Sequence, residues 1–255
     1  MRKTWLLLTA AVLVVAAVFL SVYPIYAAER GKGADRVLSK ITFIHFKKGH
    51  AKPPWAGGGK PGDKEDEGDY TYLSKGAKWK AIEDYRLNTD FEENIGGSLD
   101  ALVINSVLAG MDEWETPDSS VFDIFGGVVL DGSATYDDGA YRGYNTISFG
   151  NYGNPEVIGE ASVWGYFTGP PEQREIIEAH IIFNDECEWG DASGDLYLMD
   201  IQNIATHELG HCAGMGDLYK PGASEETMYG YSEEGETKKR DLYIGDIAGI
   251  IKLYE

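Results

Sequence analysis

The segment His207-Glu208-Leu209-Gly210-His211-Cys212-Ala213-Gly214-Met215-Gly216-Asp217 carries the chemistry of this chain, and the rest of the sequence reads outward from it. Histidines four apart fall on one face of a helix, so two imidazoles can grip one ion. Glu208, one residue after the first histidine, then points toward the open coordination position, where a water would sit. The stretch from Met199 to Ala213 has a helical pattern. Gly214 supplies the left-handed backbone that ends helices. Asp217 follows where a sharp turn could fold a carboxylate back over the metal. A catalytic zinc site takes three protein ligands plus a water. The five histidines are His45, His50, His180, His207 and His211. None lies after His211, so the third donor is a carboxylate or an upstream histidine brought in by long-range folding. Asp217 is the favoured candidate.

Around this segment, residues 70–255 have the texture of a mixed α/β domain. Ser98 is a fair N-cap for a helix whose apolar stripe runs through Ala101, Ile104, Val107, Leu108, Met111 and Trp114. Strand-like runs follow at Val121 to Leu130, Thr146 to Phe149, Ala161 to Phe167 and Ile176 to Phe183, separated by Gly, Asn, Asp and Pro. A closing helix covers Ile244 to Tyr254. Residues 29–69 read as a flexible extension or propeptide-like segment. Ile41-Thr42-Phe43-Ile44 is a short strand candidate there, and Lys52 to Asp63 is a Pro/Gly linker.

Residues 1–28 read as an export signal or a retained N-terminal anchor. Arg2 and Lys3 precede an apolar run from Trp5 to Val22, which is long enough to cross a bilayer. Either form puts the body outside the cytoplasm: secreted, or held at the outer face of the membrane. The balance is acidic, with 42 Asp and Glu against 22 Lys and Arg. Nucleic acid and anionic membranes are therefore poor partners for the folded part, and a monomer is expected. Calcium stays open, with no EF-hand loop on which to place it. Cys187 and Cys212 are the two cysteines. In an exported chain they are expected to pair, tying the metal helix to the strand before it.

Read as HExxHxxGxxD, the opening segment resembles the metzincin clan of zinc peptidases, whose last ligand is His or, in some families, Asp. Further stretches are similar to the matrixin branch. Glu226-Thr227-Met228-Tyr229 sits where a Met-turn would lie. Asp246-Ile247-Ala248-Gly249-Ile250-Ile251-Lys252-Leu253-Tyr254 is similar to the matrixin closing helix. Ile182-Phe183-Asn184-Asp185 through Trp189 looks like the approach to the active-site helix. The resemblance implies an α+β fold: a twisted, mostly parallel sheet with an antiparallel edge strand, an active-site helix, a Met-turn and a C-terminal helix. It implies one catalytic zinc on His207, His211 and Asp217. It also implies a secreted endopeptidase acting on protein or peptide substrates through a zinc-bound water, with Glu208 as general base. Met228 would be an apolar floor, the edge strand in Glu160 to Phe167 would take substrate, and Tyr229 and Tyr231 would wall the pocket.

Three departures matter. Asp217 stands where matrixins have histidine, and no Pro-Arg-Cys-Gly switch exists. The second, structural zinc is not carried over, so His180 reads as a strand histidine. Two rivals stay open at this point. One is a zinc peptidase whose third ligand is a distant glutamate, such as Glu225, Glu226, Glu233 or Glu234. The other is an exported zinc-binding interaction module without proteolysis.

Overall fold

The structure is a computed structural model that describes residues 36–49, 69–88, 100–118, 120–135 and 139–255. The expected export segment, the Pro/Gly linker and the Ser98 cap lie outside the described residues. Everything described belongs to one unit, Arg36–Glu255.

The described strands, in chain order, are β1 (Leu38–Lys47), β2 (Thr71–Tyr72), β3 (Lys78–Trp79), β4 (Glu83–Leu87), β5 (Phe125–Leu130), β6 (Asn145–Gly150) and β7 (Val157–Tyr166), followed by β8 (Glu175–Asn184), β9 (Trp189–Gly190), β10 (Met199–Asp200), β11 (Met215–Gly216) and β12 (Tyr231–Ser232). The helices are α1 (Asp100–Glu115), α2 (Ile201–Ala213) and α3 (Ile244–Tyr254). One large sheet runs β12-β1-β7-β8-β6-β4-β5, with β3 also paired to β8. Strands β5, β4, β6 and β8 are parallel, and β7 is antiparallel to β8. Central strand β8 reads Glu-Ile-Ile-Glu-Ala-His-Ile-Ile-Phe-Asn and is buried along most of both faces. Such near-continuous burial suits a strand covered on both sides. The parallel core flanked by an antiparallel strand is the mixed sheet expected from the sequence.

Outside β7 the structure adds a strand. Leu38–Lys47 pairs antiparallel with β7 over its whole length, from Leu38 opposite Tyr166 to Phe46 opposite Val157. Its far end pairs parallel with β12, Phe46 against Tyr231 and Lys47 against Ser232. The expected substrate edge is therefore lined by the chain's own N-terminal segment.

Helix α1 lies against α2 through Val103, Val107, Met111 and Trp114, all buried, and the Trp114 indole donates to Thr206 O at 2.7 Å. The buried line is rotated from the expected one. Ala101 and Leu108 face solvent. Gly110 turns inward instead, where a Cβ would come within 2.9 Å of Leu209 and 3.0 Å of Thr206, inside van der Waals contact, so the two helices approach at a glycine and the larger residues flank it. Helix α3 closes the lower side, with the Tyr254 hydroxyl donating to Ala213 O at the end of α2 (2.9 Å).

The expected Cys187–Cys212 bond is not formed; both are free, buried thiols. Cys212 faces Tyr85 on β4, whereas Cys187 Sγ lies 3.8 Å from Val157 O on β7. Strands β4 and β7 are three steps apart in the sheet, roughly 14 Å at ordinary strand spacing. A bridge needs Cα atoms within about 7 Å. Cys212, next to His211, faces β4, whereas Cys187 lies in the turn between β8 and β9.

Candidate metal centre and peptide cleft

Helix α2 starts at Asp200, whose carboxylate accepts from Asn203 N (2.9 Å) and is itself held by Arg240. It ends at Gly214, with φ +106°. A side chain there would strike Ala77 O at 2.5 Å, so both backbone conformation and space demand glycine. Between these caps, His207 and His211 project from one face, their ring centroids 4.9 Å apart and the planes nearly perpendicular.

Each imidazole is fixed by its far nitrogen. His207 Nδ1 donates to Thr227 O at 2.7 Å and His211 Nδ1 to Met215 O at 3.1 Å. A carbonyl can only accept, so both rings donate from Nδ1, which leaves Nε2 as the nitrogen each could offer to a metal. After the bend at Gly214, Asp217 folds back. Its Oδ1 lies 3.4 Å from His207 Nε2 and 3.3 Å from His211 Nε2. A tetrahedral ion with bonds of about 2.05 Å separates its ligands by about 3.3 Å. The spacing matches. His207 Nε2 is buried without a hydrogen-bond partner, as a nitrogen reserved for a metal would be. Burial holds the His207 imidazole down at about 4, against the opposing pull of Asp217, which keeps it in the neutral form that binds metals. The other oxygen of Asp217 accepts from the Tyr219 hydroxyl at 2.9 Å. Sequence reasoning missed Tyr219, which no motif in the sequence marks out.

Glu208 is fully buried, and its Oε2 has no partner. Burial, with the Asp217 charge second, holds its carboxyl well above the usual range. Met228 is also fully buried. A Cβ at Gly210 would lie 2.3 Å from its sulfur, so the methionine packs flush under the metal helix. The turn that carries it is pinned by Asp246, which accepts from Thr227 N and from Met228 N (3.2 Å). Asp246 thereby also sets the position of Thr227 O, the acceptor for His207.

Tyr229 and Tyr231 meet edge-on at 5.8 Å, and Tyr231 does the same with Tyr219 at 5.3 Å. Beneath them sits Lys239, fully buried, its Nζ donating to Tyr231 O and Ser232 Oγ at 2.8 Å each and to Tyr229 O. Burial brings this ammonium down to about 8. Lys239 was not singled out in the sequence, where it is one of three consecutive basic residues.

The distant glutamates are engaged elsewhere. Glu225 pairs with Lys238, Glu233 with Lys48 and Glu234 with Lys47, while Glu226 accepts from Gly245 N and Asp246 N at the start of α3. Among the described residues the carboxylate that joins the two imidazoles is Asp217. His180 sits in β8 with both ring nitrogens engaged, one by Thr146 Oγ1 and the other by Glu178, at 2.7 Å each.

The matrixin family model matches residues 159–255, from the antiparallel strand through the metal helix and Met-turn to α3. That part of the chain is matrixin-like. The chain is also similar to Metalloendoproteinase 1-MMP of Arabidopsis thaliana, at 42% identity over 57 residues, 22% of this chain. The chain covers 14% of the length of that relative. Among the described residues no helix is long and apolar enough to cross a membrane.

One further residue enters the matrixin-like site. His45, on β1, is buried against it, its ring 4.0 Å from that of His207 and its Nδ1 3.2 Å from Glu208 Oε1. No local pattern in residues 29–69 marks it out.

Proposed function

We propose that this chain is an exported zinc endopeptidase of matrixin type, with His207, His211 and Asp217 as metal ligands and Glu208 as the proton-transfer group. The observation that carries the reading is Asp217 Oδ1 at 3.3–3.4 Å from both Nε2 atoms, the three ligand atoms lying within 4.8 Å of one another, with both Nδ1 atoms committed to carbonyls and a buried carboxyl alongside. A zinc ion held there supplies Lewis acidity, polarising a peptide carbonyl and making a nearby water acidic. The remaining work falls to the chain. Glu208, in a dry site that raises its proton affinity, takes a proton from the attacking water and returns it to the departing amine. Met228 and Gly210 hold the imidazole-bearing turns in close register. The sides of β7 and β12 that β1 occupies would, with that strand displaced, orient an extended peptide by main-chain pairing, as sheet edges do for strand-like ligands. The Tyr229–Tyr231 wall sits where a side chain next to the scissile bond would lodge.

Glu208→Ala tests the reading. The variant is expected to keep one zinc per chain while casein cleavage falls on the order of 10²- to 10⁴-fold, the usual size of a general acid–base contribution. Asp217→Ala is expected to lose the zinc. Undiminished cleavage by Glu208→Ala, or stoichiometric zinc in Asp217→Ala, would refute the assignment. Equal inactivity of wild type and Glu208→Ala on any peptide would favour a binding module.

A further inference from the structure

Strand β1 lies in the groove that an extended peptide would use. It runs antiparallel to β7 and parallel to β12, between the two edges that flank the metal site. Side chains alternate along a strand, so residues two apart share a face. Phe43 and His45 share the face turned toward the metal helix. Phe43 stacks flat on His211, with centroids 3.9 Å apart and planes within 8°. His45 lies over His207. Its side chain is fully buried, Nδ1 meets Glu208, and Nε2 is buried with no hydrogen-bond partner. An unpartnered buried ring nitrogen is costly unless something missing from the protein binds it. His45 forms a potential metal-binding group with His207 and Glu208, and His207 is common to that group and to the His207–His211–Asp217 set. Opposite His45 on β7 stands Gly159, where a Cβ would come within 3.4 Å of Glu208 Oε1, so the strand can press close.

The fastening along the strand is electrostatic as well. Residues 36–48 contain Arg36, Lys40, Lys47 and Lys48 and no acidic residue, in a chain of formal net charge −20. Arg36 pairs with Glu175 at 2.6 Å, Lys47 with Glu234 and Lys48 with Glu233 at 2.7 Å each. Such partly exposed pairs are individually weak and screened by salt. Held pairs of this kind position a segment that a change in conditions or a cut could release.

Resting on the zinc-peptidase reading above, we infer that Leu38–Lys47 is a built-in occupant of the peptide groove, and that His45 is a further protein donor to the bound metal, closing the position a substrate would need. No cysteine takes part. The segment runs antiparallel to β7 and parallel to β12 and blocks by imidazole.

The test uses the full chain loaded with cobalt(II), whose visible spectrum reports ligation, and acetohydroxamate as a small probe that needs open coordination positions. In wild type, acetohydroxamate is expected to perturb the spectrum only weakly. His45→Ala and, separately, Phe43→Asp are expected to bind it at least tenfold more tightly, and His45→Ala is expected to change the cobalt spectrum before any probe is added. Equal probe affinity in wild type and both variants would overturn the inference while leaving the metal site standing. Failure of wild type to take up cobalt would instead sink the zinc reading and the inference with it. Hydrogen exchange on unmodified protein gives a check independent of either substitution. Amides of residues 38–47 and 159–165 are expected to be protected together and to lose protection together as salt is raised. Exchange of 38–47 at the rate of an unstructured chain would overturn the proposal.

Discussion

At the scale of single residues, the site depends on groups that touch no metal. Tyr219 donates to Asp217 Oδ2, fixing the carboxylate so that Oδ1 faces the imidazoles. Groups in this supporting role commonly contribute 10- to 100-fold in metal affinity. Tyr219→Phe is therefore expected to weaken zinc binding on the order of tenfold, read by competition with a chromogenic chelator, without a matching loss of thermal stability in the metal-free protein. Gly210 makes the opposite kind of demand. Alanine is the better helix former by about 1 kcal/mol, yet a methyl here would sit 2.3 Å from Met228 Sδ and 2.5 Å from the Trp114 ring. Overpacking typically costs about 1–3 kcal/mol. Gly210→Ala is expected to lower the melting temperature and to loosen zinc, since the displaced Met228 carries Thr227 O with it. A more stable variant would show that the turn yields freely. The sequence made His207, His211, Gly214 and Asp217 legible because helix geometry links them within eleven residues. Tyr219, Lys239 and His45 act through contacts that no spacing rule encodes.

At the scale of elements, α3 and the Met228 turn form one unit through two carboxyls. Glu226 accepts from Gly245 N and Asp246 N, and Asp246 accepts from Thr227 N, Met228 N and Tyr243 N. Burial, followed by the charge of Asp246, pushes Glu226 up to about 8, and burial raises Asp246 as well. In the unfolded chain Glu226 titrates near its ordinary 4.5. Between these values the folded protein holds more protons than the unfolded one. Stability from this pair is thus fully present below about pH 4.5 and is lost as pH rises toward about 8. Glu226→Gln, which keeps an acceptor for the two amides, is expected to flatten that decline. The check is the difference in melting temperature between variant and wild type from pH 5 to 9, in chelator. A difference that does not grow with pH would refute it. The closing helix and strands β6, β7 and β8 were legible because apolar periodicity and turn residues bound them. Strand β4 was not: Glu83-Asp84-Tyr85-Arg86-Leu87 sends only Tyr85 and Leu87 into the core, and three charged residues mask the alternation.

For the whole molecule, the layered plan of mixed sheet, metal helix and closing helix followed from the sequence because each piece carries its own local signature. The pairing of β1 with β7 joins residues more than a hundred positions apart. Nothing in the local composition of residues 29–69 announces such a partner, so that segment read as an extension. The same nonlocality decides the cysteines. Their separation of about 25 residues would make a bridge worth roughly 3 kcal/mol through loop closure, or several degrees of melting temperature for a domain of this size. The sheet instead sends the two thiols to different strands, and packing around Trp79, Tyr85 and Val157 supplies the cohesion in place of a bond. Melting is accordingly expected to be indifferent to a thiol reductant. Protein unfolded without reductant is expected to take two maleimide labels per chain, and folded protein to take them slowly, since both thiols are buried and burial pushes Cys187 up to about 11 and Cys212 higher still. Fewer than two labels in the unfolded chain, together with a melting temperature that drops on reduction, would mean that the metal helix is tied covalently after all and that β4 and β7 approach more closely than this sheet allows.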